Sequence, residues 1–401
     1  MYLKHLSLTN FRNFARLDLQ VPRQSVLLTG DNAQGKTSLL EAIYFLATFA
    51  SFQTHSDRQL VNFVASRQAG AFAKITAEYQ RGVTSHKLDV RLILDPVGAN
   101  SQRLRKEVRL DGVRRPVNEA IGHFNAVLFV PQMSLIIEGG PDERRRYLNL
   151  TLAQVFPGYA SALSEYSKAL EQRNALLKML SERAGDPGQL NIWDETLAGH
   201  GARLIHCRIA ALHELGLLAA RIHHRLTQGS EALRLAYEPA FDPAPKPAGQ
   251  ISLPLDAPVD RTGLDLEDIR QGFVARLNAL HQEEIARGVT TTGPHRDDLR
   301  FLANSIDLGD YGSRGQVRTA LLSVKLAEVE WMNARTGQTP VILLDEVMAE
   351  LDLQRRADLL AAVEQTEQCL LSTTDLKLFD PGFVSRSAKW QIARGEVREV
   401  E

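Results

Sequence analysis

The segment Gly30-Asp31-Asn32-Ala33-Gln34-Gly35-Lys36-Thr37 decides the fold, because of what flanks it. Val26-Leu27-Leu28 precedes it as an apolar strand, and Ser38-Leu39-Leu40-Glu41-Ala42-Ile43 follows as a helix. A glycine loop at such a junction turns backbone N–H groups and a helix N-terminus toward phosphate. All eight residues, Gly30 to Thr37, are therefore expected at an ATP site. Lys36 is placed to neutralise β- and γ-oxygens, and the Thr37 hydroxyl to ligate Mg²⁺. Far along the chain, Val341-Ile342-Leu343-Leu344 reads as a buried strand that ends in Asp345-Glu346. Asp345 is expected to hold the metal with Thr37, and Glu346 to orient or deprotonate the attacking water.

A third element lies between these two. Tyr311-Gly312-Ser313-Arg314-Gly315-Gln316 stands ahead of an expected helix (Arg318, Leu321, Leu322, Lys325, Leu326) and resembles the Ser-x-Gly-Gln core of ABC-type signature motifs. In that class the signature loop of one subunit caps the γ-phosphate bound by another, so Ser313, Gly315 and Gln316 are expected at the nucleotide of a partner copy. Ala349-Glu350-Leu351-Asp352 looks like the D-loop, which adds Asp352 to the nucleotide-binding set. Each motif alone has a plainer reading: a tight turn, an acidic strand end, or a helix start capped by Ser313. Together and in this order they specify an α/β fold, an ABC-type P-loop ATPase head with an inserted helical lobe.

The bulk properties set limits. A chain of 401 residues is long enough for two or three domains, and its composition is that of a globular protein. It shows no secretory pattern or long apolar span, so a cytoplasmic location without membrane contact is expected. Cys207 and Cys369 lack metal-ligand spacing and read as packing residues. The net charge of −1 means that any nucleic-acid surface must be a local patch.

Leu3 to Leu8 and Ala15 to Leu19 alternate as an antiparallel pair around Asn10-Phe11-Arg12-Asn13-Phe14. Alternation returns at Ala73–Tyr79 and Leu88–Leu94, and Asp111-Gly112 marks a hairpin turn after Leu110. From Tyr159 the period becomes helical, breaking at Gly185-Asp186-Pro187-Gly188 and resuming from about Trp193 to Leu226. Pro239, Pro243, Pro245 and Pro247 mark an irregular stretch before helix resumes over Leu264 to Leu280. The expected division is residues 1–150 and 285–401 for the two parts of the head, with a helical lobe over 151–284. His200, His206, His213, His223 and His224 have no acidic or cysteine partner at metal-ligand spacing, and a metal reading is rejected.

Taken together, these motifs resemble the RecF family of bacterial recombination mediators. The resemblance rests on Leu6-Ser7-Leu8-Thr9-Asn10-Phe11-Arg12-Asn13, the Gly30–Thr37 loop, Gly140-Pro141-Asp142-Glu143-Arg144-Arg145-Arg146-Tyr147-Leu148 and Thr292-Gly293-Pro294-His295-Arg296-Asp297-Asp298-Leu299. Tyr166, Arg173, Asn174, Leu176 and Leu177 in the first inserted helix extend it. It implies a head related to those of SMC-class proteins, an ATP-dependent homodimer on DNA, and slow, DNA-stimulated hydrolysis. It also implies work at single-stranded and gapped or junction duplex DNA with RecR and RecO. Two departures bear on turnover: Ala349 stands where the D-loop often has serine. Gln132, a further catalytic candidate at the Q-loop position, follows Pro131 where the family tends to be acidic.

For the DNA surface the candidates are Arg103, Arg105, Lys106, Arg109, Arg114 and Arg115 around the hairpin, with Arg144, Arg145 and Arg146. The hairpin charges also fit a solvated face, and the arginine run fits carboxylate pairing equally well. Two other functions share the nucleotide motifs. One is the ATPase subunit of a transporter, against which the inserted helices and Gly293-Pro294-His295-Arg296 argue; the other is a nucleotide-switched scaffold.

Overall fold

A computed structural model describes all residues except 55, 69, 98–100, 245–258 and 401. The expected irregular positions Pro245 and Pro247 therefore lie outside the described residues. The chain forms two compact units, Met1–Met133 with Lys325–Glu401, and Ser134–Val324.

The first unit holds two six-stranded sheets. One is antiparallel, in the order β2-β1-β4-β5-β6-β7: β1 Tyr2–Phe11, β2 Phe14–Gln20, β4 Phe72–Arg81, β5 Thr84–Val97, β6 Ser101–Leu110 and β7 Val113–Arg115. The alternation seen in the sequence becomes one buried face (Leu6, Leu8, Ile75, Ala77, Leu88, Val90, Leu92, Val108) and one solvated face, as half-buried strands require. Asp111 and Gly112 both take positive φ between β6 and β7, the hairpin turn expected there.

The other sheet explains why the two distant motifs meet. Its strands are β3 Ser25–Thr29, β8 Ala126–Phe129, β12 Val341–Asp345, β13 Cys369–Thr373, β14 Ala388–Ala393 and β15 Glu396–Val400, in the order β15-β14-β3-β13-β12-β8. All neighbours are parallel except β14 and β15. β12 and β13 are buried at every position, as continuous apolar runs in a covered parallel sheet should be. Leu27 pairs with Leu371, Leu371 with Leu344, and Leu344 with Phe129. This register aligns the ends of β3 and β12 across one intervening strand. Helix α1, Lys36–Thr48, continues from β3 through the glycine loop and is buried along almost its whole length.

The second unit carries the helices α2 Pro141–Val155, α3 Tyr159–Ser181, α4 Leu190–Leu226 and α5 Leu266–Arg287. The α3 and α4 helices match the two expected runs, and α5 continues seven residues past Leu280 because Phe273, Leu277, Leu280 and Glu284 keep its buried side going. Asp265 caps its start through Asp268 N, and Gly288 in the left-handed region ends it. A three-stranded sheet, β11-β10-β9, went unread in the sequence: β9 Leu233–Glu238, β10 Asp298–Ala303 and β11 Ile306–Asp307. Its alternation (Leu299, Phe301, Ala303 buried) is only six residues long and sits beside the motif that drew the eye. The long helix α6, Arg314–Thr336, begins in this unit and ends in the first.

Buried ion pairs hold the second unit together. Arg173 on α3, fully buried, donates to Asp194 at 2.7 Å, Glu284 at 2.6 Å and Thr290 at 2.8 Å. Arg208 on α4 donates to Asp297 and to the Pro294 carbonyl, each at 2.6 Å. Arg144 grips Asp298 with two nitrogens, at 2.6 and 2.9 Å, and Arg145 reaches the Asp297 carbonyl at 2.7 Å. These contacts decide the reading of two members of the arginine run: Arg144 is buried and paired, and Arg145 is engaged by Asp297 and Asp142. The family-specific segment 292–299 is thus a structural knot.

His295 in that knot gives a pH-dependent prediction. Its Nε2 faces the Thr290 carbonyl, which only accepts, so Nε2 carries the proton and Nδ1 accepts from the Tyr166 hydroxyl at 2.7 Å. Burial holds the imidazole at about 4, below its usual 6.5. The unfolded chain takes up the proton near 6.5 and the folded one does not until about 4, so stability is complete above that window and falls as pH drops through it. Between pH 7 and 5 the expected loss from this group is about 2 kcal/mol. Chemical denaturation of the parent and His295→Gln at both pH values checks this; an identical pH dependence in the two would refute it.

Candidate functional site

Backbone geometry prepares the loop after β3. Gly30 (φ 142°) and Gly35 (φ 124°) occupy conformations that side chains rarely adopt. A Cβ on Gly30 would lie 2.3 Å from the Ile392 carbonyl oxygen, and one on Gly35 would lie 2.6 Å from Asn13 Nδ2. Only glycine fits either position. The loop between them is pinned from outside: Asn13 Nδ2 donates to the Gln34 carbonyl at 2.8 Å, and Gln34 Oε1 accepts from Arg394 N at 2.7 Å. The chain then enters α1, whose first N–H groups have no intrahelical partner and point along the helix axis into the loop.

Four of the expected residues converge here. The buried Lys36 Nζ donates to the carbonyls of Gly30 at 2.6 Å and Asp31 at 3.2 Å, and lies 3.1 Å from Glu346 Oε1. Thr37 Oγ1 donates to Asp345 Oδ1 at 3.0 Å. Ser372, at the end of the intervening strand β13, donates to the same carboxylate oxygen at 2.6 Å and accepts from Glu346 N at 3.0 Å. Burial pushes the Asp345 carboxyl up, and the hydroxyls of Ser372 and Thr37 offset part of that push. Glu346 sits at φ 54°, a conformation rare for a non-glycine residue, and its Oε1 is buried without an aligned donor among the described residues.

This donor set fits a nucleotide with a hard divalent cation. A glycine cradle, a helix N-terminus and a lysine match a polyphosphate. A hydroxyl and a carboxylate within hydrogen-bond distance of each other match the oxygen ligands of Mg²⁺. Beside the loop is an open depression of about 700 Å³ whose lining includes Arg12, Asn13, Ala33, Ser38, Asn62 and Phe63. Arg12 is fixed in it by a two-nitrogen grip on the buried Glu41 of α1, at 2.7 and 2.8 Å.

The other expected residues are elsewhere or otherwise employed. Gln132 is exposed on the turn after β8 and makes no hydrogen bond to Asp345 or Glu346 among the described residues. Asp352 caps the helix α7, Leu353–Glu364, by accepting from Arg355 N at 2.9 Å, which with the paired Arg355 side chain holds its carboxyl below the usual range. Ser313 and Gln316 belong to the second unit and form a reciprocal cap at the start of α6. Ser313 N donates to Gln316 Oε1 at 3.0 Å, and Gln316 N donates to Ser313 Oγ at 3.3 Å. Gly315 lies in the first turn of α6. The sequence reading missed Ser372 and Asn13. Ser372 carries no motif of its own. Asn13 was in plain view, in the break between two alternating strands.

Residues 2–382 match the family described as RecF/RecN/SMC N terminal domain. A protein named DNA replication and repair protein RecF, from Chloroflexus aggregans, is 40% identical, with 99% of each chain covered. A solved structure described as the recombination mediator protein RecF-ATP in the RecFOR pathway superposes with a TM-score of 0.82 at 29% identity, covering 100% of this chain and 98% of that one. The Smc head domain from Pyrococcus furiosus shares the fold, with a TM-score of 0.50 at 15% identity over 100% of this chain and 96% of that one. With the glycine cradle, the carboxylate-bearing strand and the 292–299 knot all in one chain, and with likeness from end to end, this protein belongs to the RecF family.

Proposed function

We propose that the chain is an ATP-dependent DNA clamp of recombinational repair and replication, which dimerises on ATP and holds single-stranded or gapped DNA while closed. The observation that carries this reading is the convergence of Lys36, Thr37, Asp345 and Glu346 on one glycine loop. Support comes from a RecF relative named for DNA replication and repair, and from a solved RecF with ATP. The family favours this over the transport ATPase.

In the proposed site, Gly30 to Thr37 wrap the phosphates and Lys36 offsets β- and γ-charge. Thr37 and Asp345 would hold Mg²⁺, which neutralises phosphate charge when bound. Glu346 orients and deprotonates the attacking water, and the depression lined by Asn13 and Phe63 takes the nucleoside. Ser313, Gly315 and Gln316 face the γ-phosphate of a second copy, and Asp352 lies at the same junction. Gln132 is the second catalytic candidate, at the Q-loop position by family resemblance. Met1–Met133 with Lys325–Glu401 form the working head and Ser134–Val324 the helical lobe, so the expected bounds of 150 and 285 move to 133 and 325, because Arg144 and Arg145 pair with residues 297–298 inside the lobe. RecR and RecO are the partners, in the cytoplasm.

A single substitution tests the shared site. Ser313→Arg places a long cation where the partner's nucleotide would seat. ATP binding by the monomer should stay within about twofold, while the ATP-induced dimer in light scattering and ATP-dependent retention on gapped DNA should be lost. A variant that dimerises normally with ATP would overturn the shared site.

A further inference from the structure

We propose that single-stranded DNA lies across the solvated face of the antiparallel sheet β2-β1-β4-β5-β6-β7; this rests on the DNA-clamp reading and gives it a surface. Strand register puts a polar, basic row across that face. Arg16 is opposite Thr9, Thr9 opposite Lys74, Lys74 opposite Arg91, and Arg91 opposite Glu107, whose carboxylate Arg105 engages. Neighbouring strands are about 4.8 Å apart, so the row is a compact track. On one side of it Phe72 is opposite Ile93, and Ile93 opposite Arg105. On the other, Asp89 stands between Thr76 and Arg109.

The charges on this face do not cancel. Asp89 is taken by Lys74 at 3.1 Å, Asp95 by Arg105 at 2.8 Å and Glu78 by Lys87 at 3.0 Å; Glu107 contacts Arg105 and lies 3.9 Å from Arg114, and Asp18 shares a 2.8 Å hydrogen bond with the His5 imidazole. Four exposed arginines, Arg16, Arg91, Arg103 and Arg109, have no ion-pair partner among the described residues. In a chain of net charge −1 this is a concentrated surplus, and a polyanion is its complement.

The aromatic side chain among these cations narrows the polyanion to a single strand. Phe72, the first residue of β4, is 39% exposed at a depression of about 320 Å³ lined by Thr9, Gly70, Phe72, Lys74, Arg91 and Ile93. A ring beside the Lys74 ammonium and the Arg91 guanidinium receives an unstacked base while these cations take the flanking phosphates. A duplex keeps its bases stacked inside and offers this ring no π-face.

The test uses the full chain with ATP, a fluorescent oligothymidylate of roughly 30 nucleotides and a blunt duplex of the same length. Anisotropy titrations would run between about 50 and 200 mM salt. Arg91→Ala with Arg109→Ala should weaken oligothymidylate binding at least about 10-fold and reduce the log–log salt slope by about 1.4, two contacts at ~0.7 each. Phe72→Ala should cost about 10-fold on the single strand and leave duplex binding within about twofold. All three side chains are at least partly exposed, and unchanged binding of a fluorescent ATP analogue verifies folding. If the parent binds the oligomer and the variants bind it equally well, this surface is wrong. The same holds if Phe72→Ala weakens duplex and single strand alike. A parent that binds no DNA with ATP overturns the clamp reading itself.

Discussion

Glu346→Gln is expected to slow ATP turnover by about 10²–10⁴-fold while leaving nucleotide affinity nearly unchanged. Glutamine keeps the size and reach of the side chain and loses the base. The affinity side of the prediction follows from the geometry. Phosphate binding is assigned to the glycine cradle, the α1 N-terminus and Lys36, and the Lys36 ammonium keeps its two carbonyl partners, Gly30 and Asp31, whatever stands at 346. With hydrolysis blocked and the γ-phosphate retained, the closed dimer should accumulate and stay on gapped DNA longer than the parent. Phosphate release and dissociation from DNA, measured side by side, decide the matter. Hydrolysis at the parental rate would remove Glu346 from catalysis, and parental DNA release without hydrolysis would uncouple the two events.

The second large effect concerns stability. Arg173→Met removes the guanidinium that bridges Asp194 and Glu284, both essentially inaccessible, and a buried pair broken on one side costs about 3–5 kcal/mol. Asp194 retains His281 at 2.6 Å, and Glu284 retains Thr291 N at 2.6 Å, so the knot is weakened without being dissolved. For a unit of this size the unfolding midpoint should fall by roughly 6–20 °C. The first unit and its Lys36–Asp345 cluster contain none of these residues, so ATP binding below the transition should persist. A midpoint within about 2 °C of the parent would show that α3 and α5 do not depend on this network.

How much of this was legible beforehand varied with the length and type of signal. Residues 30–37 and 341–346 were readable because a strand, a glycine loop and a helix succeed one another within about twenty residues, each with its own periodicity. Helices α3 and α4 were readable because their apolar positions recur over many turns. β9 and β10 were not, because six residues carry too little alternation to stand out. The arginine run 144–146 could not be settled from sequence. Whether a guanidinium meets a phosphate or a carboxylate depends on what lies across from it, and Asp298 is 154 residues away from Arg144. Ser372 was invisible for the same reason: its role comes from standing on the strand between the two motifs.

The place of β3 in its sheet has a bearing on how the protein is made. Both of its neighbours, β13 and β14, come from far later in the chain, beyond residue 368. Roughly 340 residues separate Thr29 from Cys369, and at 5–20 residues per second a ribosome needs about 17–70 s to cover them. Throughout that interval Val26, Leu27 and Leu28 have no strand on either side, and the phosphate loop hangs from an unpaired edge. Any message cut short upstream of residue 369 therefore yields a chain with its central apolar strand exposed, a substrate for chaperones and proteases. The nucleotide cluster needs Ser372 beside Asp345 and Glu346, so every molecule that binds ATP through it has been translated past residue 372.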